Sequence, residues 1–423
     1  MKICLISKYP PIEGGVSSQT YWLAKALGER GHEVHIVTNA QEVEEEYRED
    51  IDIENEAGQY QPPNVYIHNI DPSPLANPSH IPFSKAYCEK LANLSIEVIK
   101  KHNLQLIDSW YLLPYAVSGF LAKTITGKPQ IIRHAGSDIN RLFDSPYLRV
   151  LFKSIFERVD TIVTYPDSKE VFLNLGIPES KLFLNQKIAV DTTAFNPEVE
   201  PIDLSKYTDK DTKNLPVITY IGKITYHSET KGIYELLEVC QGIKDDFLLL
   251  FVGNGKELKR LQEEVRRKGL ESRTIFLNFV PPWKVPSIIK RSTCVVLPER
   301  DFPIPNHMPS IPREVMATGK CLLLSRELYQ KEAYKALIDG ENILIIDPKN
   351  IKQFRSTLEK IIKNPDIAER IGQKARRLSG LTEDFDKYVS HNILMYEKNL
   401  SIPLFLTINH PSSAHILRQA SQI

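Results

Sequence analysis

The sequence has no excess of either charge. Lys+Arg and Asp+Glu each number 53, for a formal net charge of zero. A chain so balanced has no global attraction to a polyanion, and no nucleic-acid partner is expected. Long apolar runs are missing too: nothing reaches the roughly 18 consecutive apolar residues that a bilayer span needs. The opening "MKICLISKYPP" has an apolar run too short for a signal peptide, and Pro10-Pro11 ends it. A cytoplasmic protein is expected. Cysteine is scarce: Cys4, Cys88, Cys240, Cys294 and Cys321 include no CxxC pair, and several lie in apolar runs. Buried free thiols are the expectation, rather than disulfides or a metal cage. The dinucleotide fingerprint G-x-G-x-x-G is also incomplete, because Leu258 stands at the third glycine position after Gly253 and Gly255.

What is present is an alternation. At 423 residues the chain is too long for one compact core. Short, nearly continuous apolar runs alternate with helical patterns. In the first half they are "KICLIS", "HEVHIVT", "NVYIHNI", "LQLIDSW", "QIIRHA" and "TIVTYP". Such runs suit strands covered on both faces. Between the first two, Trp22, Ala26 and Leu27 fall at helical spacing, and Gly31 is a good stop. The pattern breaks near 196–216, a polar stretch with three prolines that reads as an interdomain connection. It then restarts with "VITYIG", "FLLLFVG", "TIFLNFV", "CVVLPE", "KCLLLS" and "NILIID". Alternation of this kind predicts two doubly wound parallel sheets in series.

In open α/β sheets ligands bind beyond the carboxyl ends of the strands. There "YIGKITYHSETKG" places Lys223 at a strand end and Lys231 at the start of the next helix, a pair that suits a diphosphate. Gly253 and Gly255 allow a tight turn or close backbone approach to a ligand. In "SIPREVMATGK", Ser310 can cap a helix, with Pro312 in its first turn. Glu314 then sits near the helix start, where a carboxylate suits either the helix dipole or a pair of vicinal hydroxyls. Gly14-Gly15 forms a flexible loop into the first helix, and His134, Gly136 and Asp138 follow another strand. The His134 ring could meet a substrate oxygen or serve the structure. Two Asp-x-Asp pairs occur. Asp50-Ile-Asp52 lies in an acidic run that reads as a solvated face, and Asp384-Phe-Asp386 lies in a late helical segment. Neither is read as a metal site.

Taken together, these segments resemble the large retaining GT-B glycosyltransferase family four (glycosyl transferases group 1) over roughly residues 1 to 400. "GGVSSQTYWLAKALGERGHEVHIVT" resembles the family's glycine loop, helix and second strand, and "HAGSD" its His-Gly-x-Asp motif. "VDTTAFNP", "IGKITYHSETKGIYELL", "FVGNGKELKRLQEEVRRKGLESRTIFLNFVP", "REVMATGK" and "IDGENILIIDP" follow in the family's order. The resemblance implies an α/β GT-B fold: two Rossmann-like doubly wound domains facing a cleft, with a C-terminal helix crossing back to the first domain. Residues 1–197 would form the acceptor-side domain, 198–215 the linker, 216–385 the nucleotide-sugar-binding domain and 386–400 the returning helix. Residues 401–423 are unassigned.

The resemblance also implies residue roles. Glu314 would hold the donor ribose, and Lys223 and Lys231 the diphosphate. Gly14, Gly15, Gly253 and Ser310 would complete the donor site, and His134 would lie beside the transferred sugar. The family keeps a glutamate eight positions before Glu314, and here that position is Asn306. Pro309 fits the Glu-x-x-Pro variant of this loop and supports the alignment. The implied reaction moves a sugar from a nucleoside-diphosphate sugar to an acceptor hydroxyl with retention, without metal or cofactor. The acceptor would be a glycan, a lipid-linked molecule or a small molecule. "SPYLRVLFKSIFERV" predicts a helix with Arg149, Lys153 and Arg158 beside an apolar stripe, which suits peripheral contact with the inner face of a membrane. A GT-B epimerase or phosphorylase would use the same cleft. Asn306 also fits a catalytically inactive nucleotide-sugar-binding regulatory protein.

Overall fold

The structure, a computed structural model, describes residues 1–70, 87–136, 138–139, 145–185, 189–225, 230–303, 308–382 and 384–401. The first domain is built on a seven-stranded sheet: β1 (Lys2–Ile6), β2 (Glu33–Thr38), β3 (Val65–Asn69), β4 (Leu106–Trp110), β5 (Gln130–Arg133), β6 (Thr161–Thr164) and β7 (Leu182–Leu184), in spatial order 3-2-1-4-5-6-7. The second has six strands: β8 (Val217–Ile221), β9 (Leu248–Val252), β10 (Thr274–Leu277), β11 (Cys294–Leu297), β12 (Cys321–Ser325) and β13 (Leu344–Ile346), in order 10-9-8-11-12-13. Every pairing between these strands is parallel. Each sheet therefore reverses direction once, between β1 and β4 and between β8 and β11. Those switch points leave the crevices where such sheets take ligands.

The strands form where the apolar runs predict, because segments such as Leu248–Val252 and Cys321–Ser325 are buried on both faces. The exception is β7, Leu182–Leu184, a half-exposed edge strand whose apolar run of three residues is too short to stand out as a strand. The polar stretch after the first sheet is docked on the second domain. Leu204 is buried with Val217 and Leu248, and the Ile202 amide donates to the Ser287 carbonyl at 3.1 Å. Apolar residues inside a charged stretch supply that anchor.

The domains touch extensively. One apolar cluster runs from Ile3, Leu5 and Trp22 to Val295, Val315 and Leu322. The acidic run read as a solvated face is in part a domain contact. The Asp50 amide donates to the Phe279 carbonyl at 2.8 Å, Trp283 Nε1 donates to Glu56 at 2.8 Å, and Lys284 pairs with Glu56. The last helix, Phe385–Ser401, returns to the first domain. There Tyr396 donates to buried Asp108 at 2.6 Å, while Arg133 grips both Asp108 oxygens at 2.8 and 2.9 Å.

Candidate active site

The loop after β1 delivers Glu13 and Gly14 to the crevice. Gly14 has φ +122°, a conformation that L side chains rarely adopt, and it leads into the Gly15–Glu29 helix. No side chain caps that helix and no acid stands in its first turn, so its positive end is unneutralised by its own residues. The Lys223 ammonium, at the end of β8, reaches this point from the other domain and pairs with the Glu13 carboxylate. Glu13 is buried, whereas Lys223 is half-exposed.

Lys231 lies on the same side, ion-paired with buried Glu299 at 2.5 Å and set 4.1 Å from the centre of the Phe302 ring. Burial holds its ammonium below the usual lysine range and Lys223 adds to the effect, while Glu299 opposes it. The two cations therefore share one electrostatic environment. Lys8, at the end of β1, belongs to it as well: burial and Lys223 lower its ammonium, and Glu13 pulls the other way. Glu49, in the segment after β2, is raised well above the carboxylate range by burial and then by Glu13. Lys223 and Lys231 are thus each ion-paired before any anion arrives.

Glu314 sits in the Ile311–Ala317 helix and is 5% exposed. Burial pushes its carboxyl up to about 7, against the pull of the Ser310 hydroxyl and the Arg313 guanidinium. The expectation that Ser310 caps this helix is corrected by the structure. Its backbone is already helical, and no side-chain cap bond forms. Glu314 and Ser310 line a small cavity closed on the far side by Ser18, Gln19 and Trp22 of the first-domain helix. Asp191 and Tyr388 complete its wall. The acid of one domain thus faces the first turns of the helix that Gly14 and Gly15 begin. Gly253 ends β9 where a Cβ would lie 1.9 Å from the Gly222 carbonyl oxygen, so no side chain fits between the two strand ends.

His134 follows β5 and is 5% exposed. Its Nδ1 accepts from the Gly136 amide at 3.1 Å, which leaves Nε2–H to donate to Thr164 Oγ1 at 2.8 Å. Burial holds the imidazole down to about 3, neutral at any ordinary pH. Asp138 braces the same turn by accepting from the amides of Leu112, Ala135 and Ile139, each at 3.0 Å.

The structure thus brings Gly14, Lys223 and Lys231 to one crevice, and Glu314 and Ser310 to the adjoining seam. His134, on the first-domain side, has both ring nitrogens engaged internally. Asn306 lies outside the described residues. Sequence reasoning missed Glu13 and Glu299. Glu299 follows β11 directly, so the strand-end rule could have found it. Glu13 carries no such signal, since its partner comes from the other domain.

Comparison with known proteins places this architecture. The family model described as glycosyl transferases group 1 matches residues 206–378, and that described as Glycosyltransferase Family 4 matches residues 13–184, one on each domain. N-acetyl-alpha-D-glucosaminyl L-malate synthase of Bacillus anthracis is 25% identical over 286 residues, covering 64% of this chain and 67% of its own. An uncharacterized glycosyltransferase of Methanocaldococcus jannaschii is 24% identical over 413 residues, covering 93% of this chain and 96% of its own. Among solved structures, Anabaena HepE in complex with UDP and glucose superposes with a TM-score of 0.66 at 17% identity, over 95% of this chain and 100% of that one. The crevice between two such sheets, with a family match on either side of it, makes this chain a member of the family four, group 1 glycosyltransferases, built on the GT-B fold.

Proposed function

We propose that the protein is a retaining hexosyltransferase that takes a sugar from a nucleoside-diphosphate sugar and passes it to an acceptor hydroxyl. One observation carries this reading: a buried acid at a helix start, Glu314, lines a cavity with the first turns of a helix from the other domain, and Lys223 meets the uncapped end of that helix. Glu314 accepts from the two ribose hydroxyls, with Ser310 orienting it. Lys223, Lys231 and the helix entered through Gly14 and Gly15 take the diphosphate. Gly253 keeps the β9 end free of a side chain, so that backbone can approach the donor. HepE, a structural neighbour, was solved with UDP and glucose, which supports a nucleotide-sugar donor in a cleft of this shape.

The bond that breaks joins the anomeric carbon to the β-phosphate oxygen. Negative charge grows on that oxygen, and Lys223 and Lys231 stabilise it most strongly in the transition state. For this Lys223 exchanges Glu13 for phosphate, and Lys231 extends its contacts from Glu299 to phosphate. The acceptor oxygen bonds to the anomeric carbon on the face that the phosphate leaves, and its proton passes to the departing phosphate oxygen. That route preserves configuration without a protein nucleophile. Asn306 accepts from one sugar hydroxyl and donates to another. His134 reaches the sugar if a hydroxyl takes over the bond now made to Thr164. The contacts of Asp50 and Glu56 with the second domain close the crevice against water.

The acceptor side carries its own signal. On the Pro146–Arg158 helix, Tyr147, Val150 and Leu151 are exposed beside Arg149 and Lys153, while Phe152 and Phe156 face inward. Such a surface suits an acceptor presented at an anionic membrane. Calorimetric titration with UDP, GDP and ADP, then with their sugars, tests the donor reading. Binding of one diphosphate and its sugar, weakened in Glu314→Ala, supports it. Equal binding in folded Glu314→Ala displaces the ribose from this site.

A further inference from the structure

Three histidines meet on the first-domain sheet, in a place the transfer reaction does not use. His35 lies on β2, His68 on the edge strand β3, and His102 ends the Tyr87–His102 helix that packs over this face. One nitrogen from each lies within 4.8 Å of the others. His35 Nδ1 and His68 Nε2 are 2.9 Å apart, and the His35 and His102 ring centres are separated by 4.3 Å. His35 is buried, and the other two are partly open to solvent.

We propose that His35, His68 and His102 form a binding site for one divalent transition-metal ion of the zinc class, with water in the fourth position. Imidazole is the preferred ligand of such ions, and three protein ligands with an open fourth place are a common zinc arrangement. The surroundings already contain the outer support that such sites use. The Glu33 carboxylate lies 3.1 Å from His35 Nε2 and accepts a hydrogen bond from its N–H, which fixes the tautomer with the Nδ1 lone pair directed at His68. Lys2 holds Glu33 from the other side at 3.0 Å. In the metal-free state His68 Nε2–H donates to His35 Nδ1. On binding, that proton moves to Nδ1 of His68 and both rings stay neutral, so none is released. Since β2 begins at Glu33 and the helix ends at His102, the site lies toward the end of the sheet opposite the crevice. Its effect would be to tie β2, β3 and that helix together.

The test uses the full chain, stripped of metal with a chelator and titrated with Zn²⁺, and with Co²⁺ for its visible spectrum. One ion per chain, a tetrahedral cobalt spectrum and a thermal midpoint that rises with zinc are expected. His68→Ala and His102→Ala should lose saturable binding while keeping the wild-type far-ultraviolet spectrum. Glu33→Gln should weaken binding by about 10–100-fold, as expected for a group that orients a ligand. His32→Ala, His391→Ala and Cys88→Ser should bind as wild type. Absence of stoichiometric binding overturns the proposal. So does binding that survives in His102→Ala, a change at the end of a helix that leaves the core intact. Loss in Cys88→Ser or His32→Ala overturns it as well, by placing the ion elsewhere.

Discussion

Lys223 of the second domain and Glu13 of the first form an ion pair across the crevice, with the carboxylate buried and the ammonium half-exposed. An incoming diphosphate competes with Glu13 for the same cation. Glu13→Gln should therefore tighten nucleoside-diphosphate binding, by a factor of roughly 2–5 for a pair this exposed. Binding of the bare nucleoside should not change. Titration of both ligands into both proteins checks this, and unchanged diphosphate affinity would remove Lys223 from the phosphate site.

The Glu314 carboxyl, held up to about 7 by burial, makes stability and binding pH-dependent. Between its ordinary value near 4.5 and about 7, the folded protein binds this proton and the unfolded chain releases it. Stability contributed by this group is therefore lost as pH rises through that window, by about 3 kcal/mol once complete. Glu314→Gln should raise the thermal midpoint at about pH 8 and leave it unchanged at about pH 4. A ribose diol selects the ionised carboxylate, so nucleoside affinity in the wild type should strengthen from about pH 6 to about pH 8. A flat pH profile would mean that the diol is held elsewhere.

Asn306 should slow the reaction without abolishing it. An amide keeps the hydrogen bonds to the sugar but lacks the charge that would favour a cationic sugar in the transition state. Asn306→Ala should cost about 0.5–1.5 kcal/mol of transition-state stabilisation, roughly 2–10-fold in rate. Asn306→Glu should raise the rate. If the donor binds and only Asn306→Glu turns it over, the wild-type chain is a binding protein.

The buried group of Asp108, Arg133 and Tyr396 fixes the last helix to the first domain. Tyr396→Phe removes one donor to a buried carboxylate and should cost about 1–3 kcal/mol. Arg133→Met leaves Asp108 buried and unpaired, and should cost about 3–5 kcal/mol. Urea unfolding followed by fluorescence in each variant gives the order, and a smaller loss for Arg133→Met than for Tyr396→Phe would contradict it.

The two sheets were legible because buried parallel strands are written as continuous apolar runs, and only the half-exposed Leu182–Leu184 escaped. Glu314, Lys223 and Lys231 could be proposed because strand ends and helix starts are marked locally in the chain. What compensates them was not. Glu13 meets Lys223 only when two domains close, and Glu56 in an acidic run gives no hint that Trp283 will be its partner. Ser310 has the residue type of a helix cap, yet its backbone is already helical, and its side chain makes no cap bond. For His134 the sequence leaves a ligand and a structural role both open, because its bond to Thr164 depends on a neighbouring strand that its own segment does not specify.

Cleavage of a sugar–diphosphate bond in this crevice is read most directly from nucleoside-diphosphate release by the purified chain, supplied with UDP-, GDP- and ADP-sugars with and without acceptors. Lys231→Ala is measured beside it. Release from one donor class, falling by roughly 100-fold in Lys231→Ala while nucleoside binding persists, is the predicted result. Equal release in Lys231→Ala, or no release from a donor shown to bind, would contradict it.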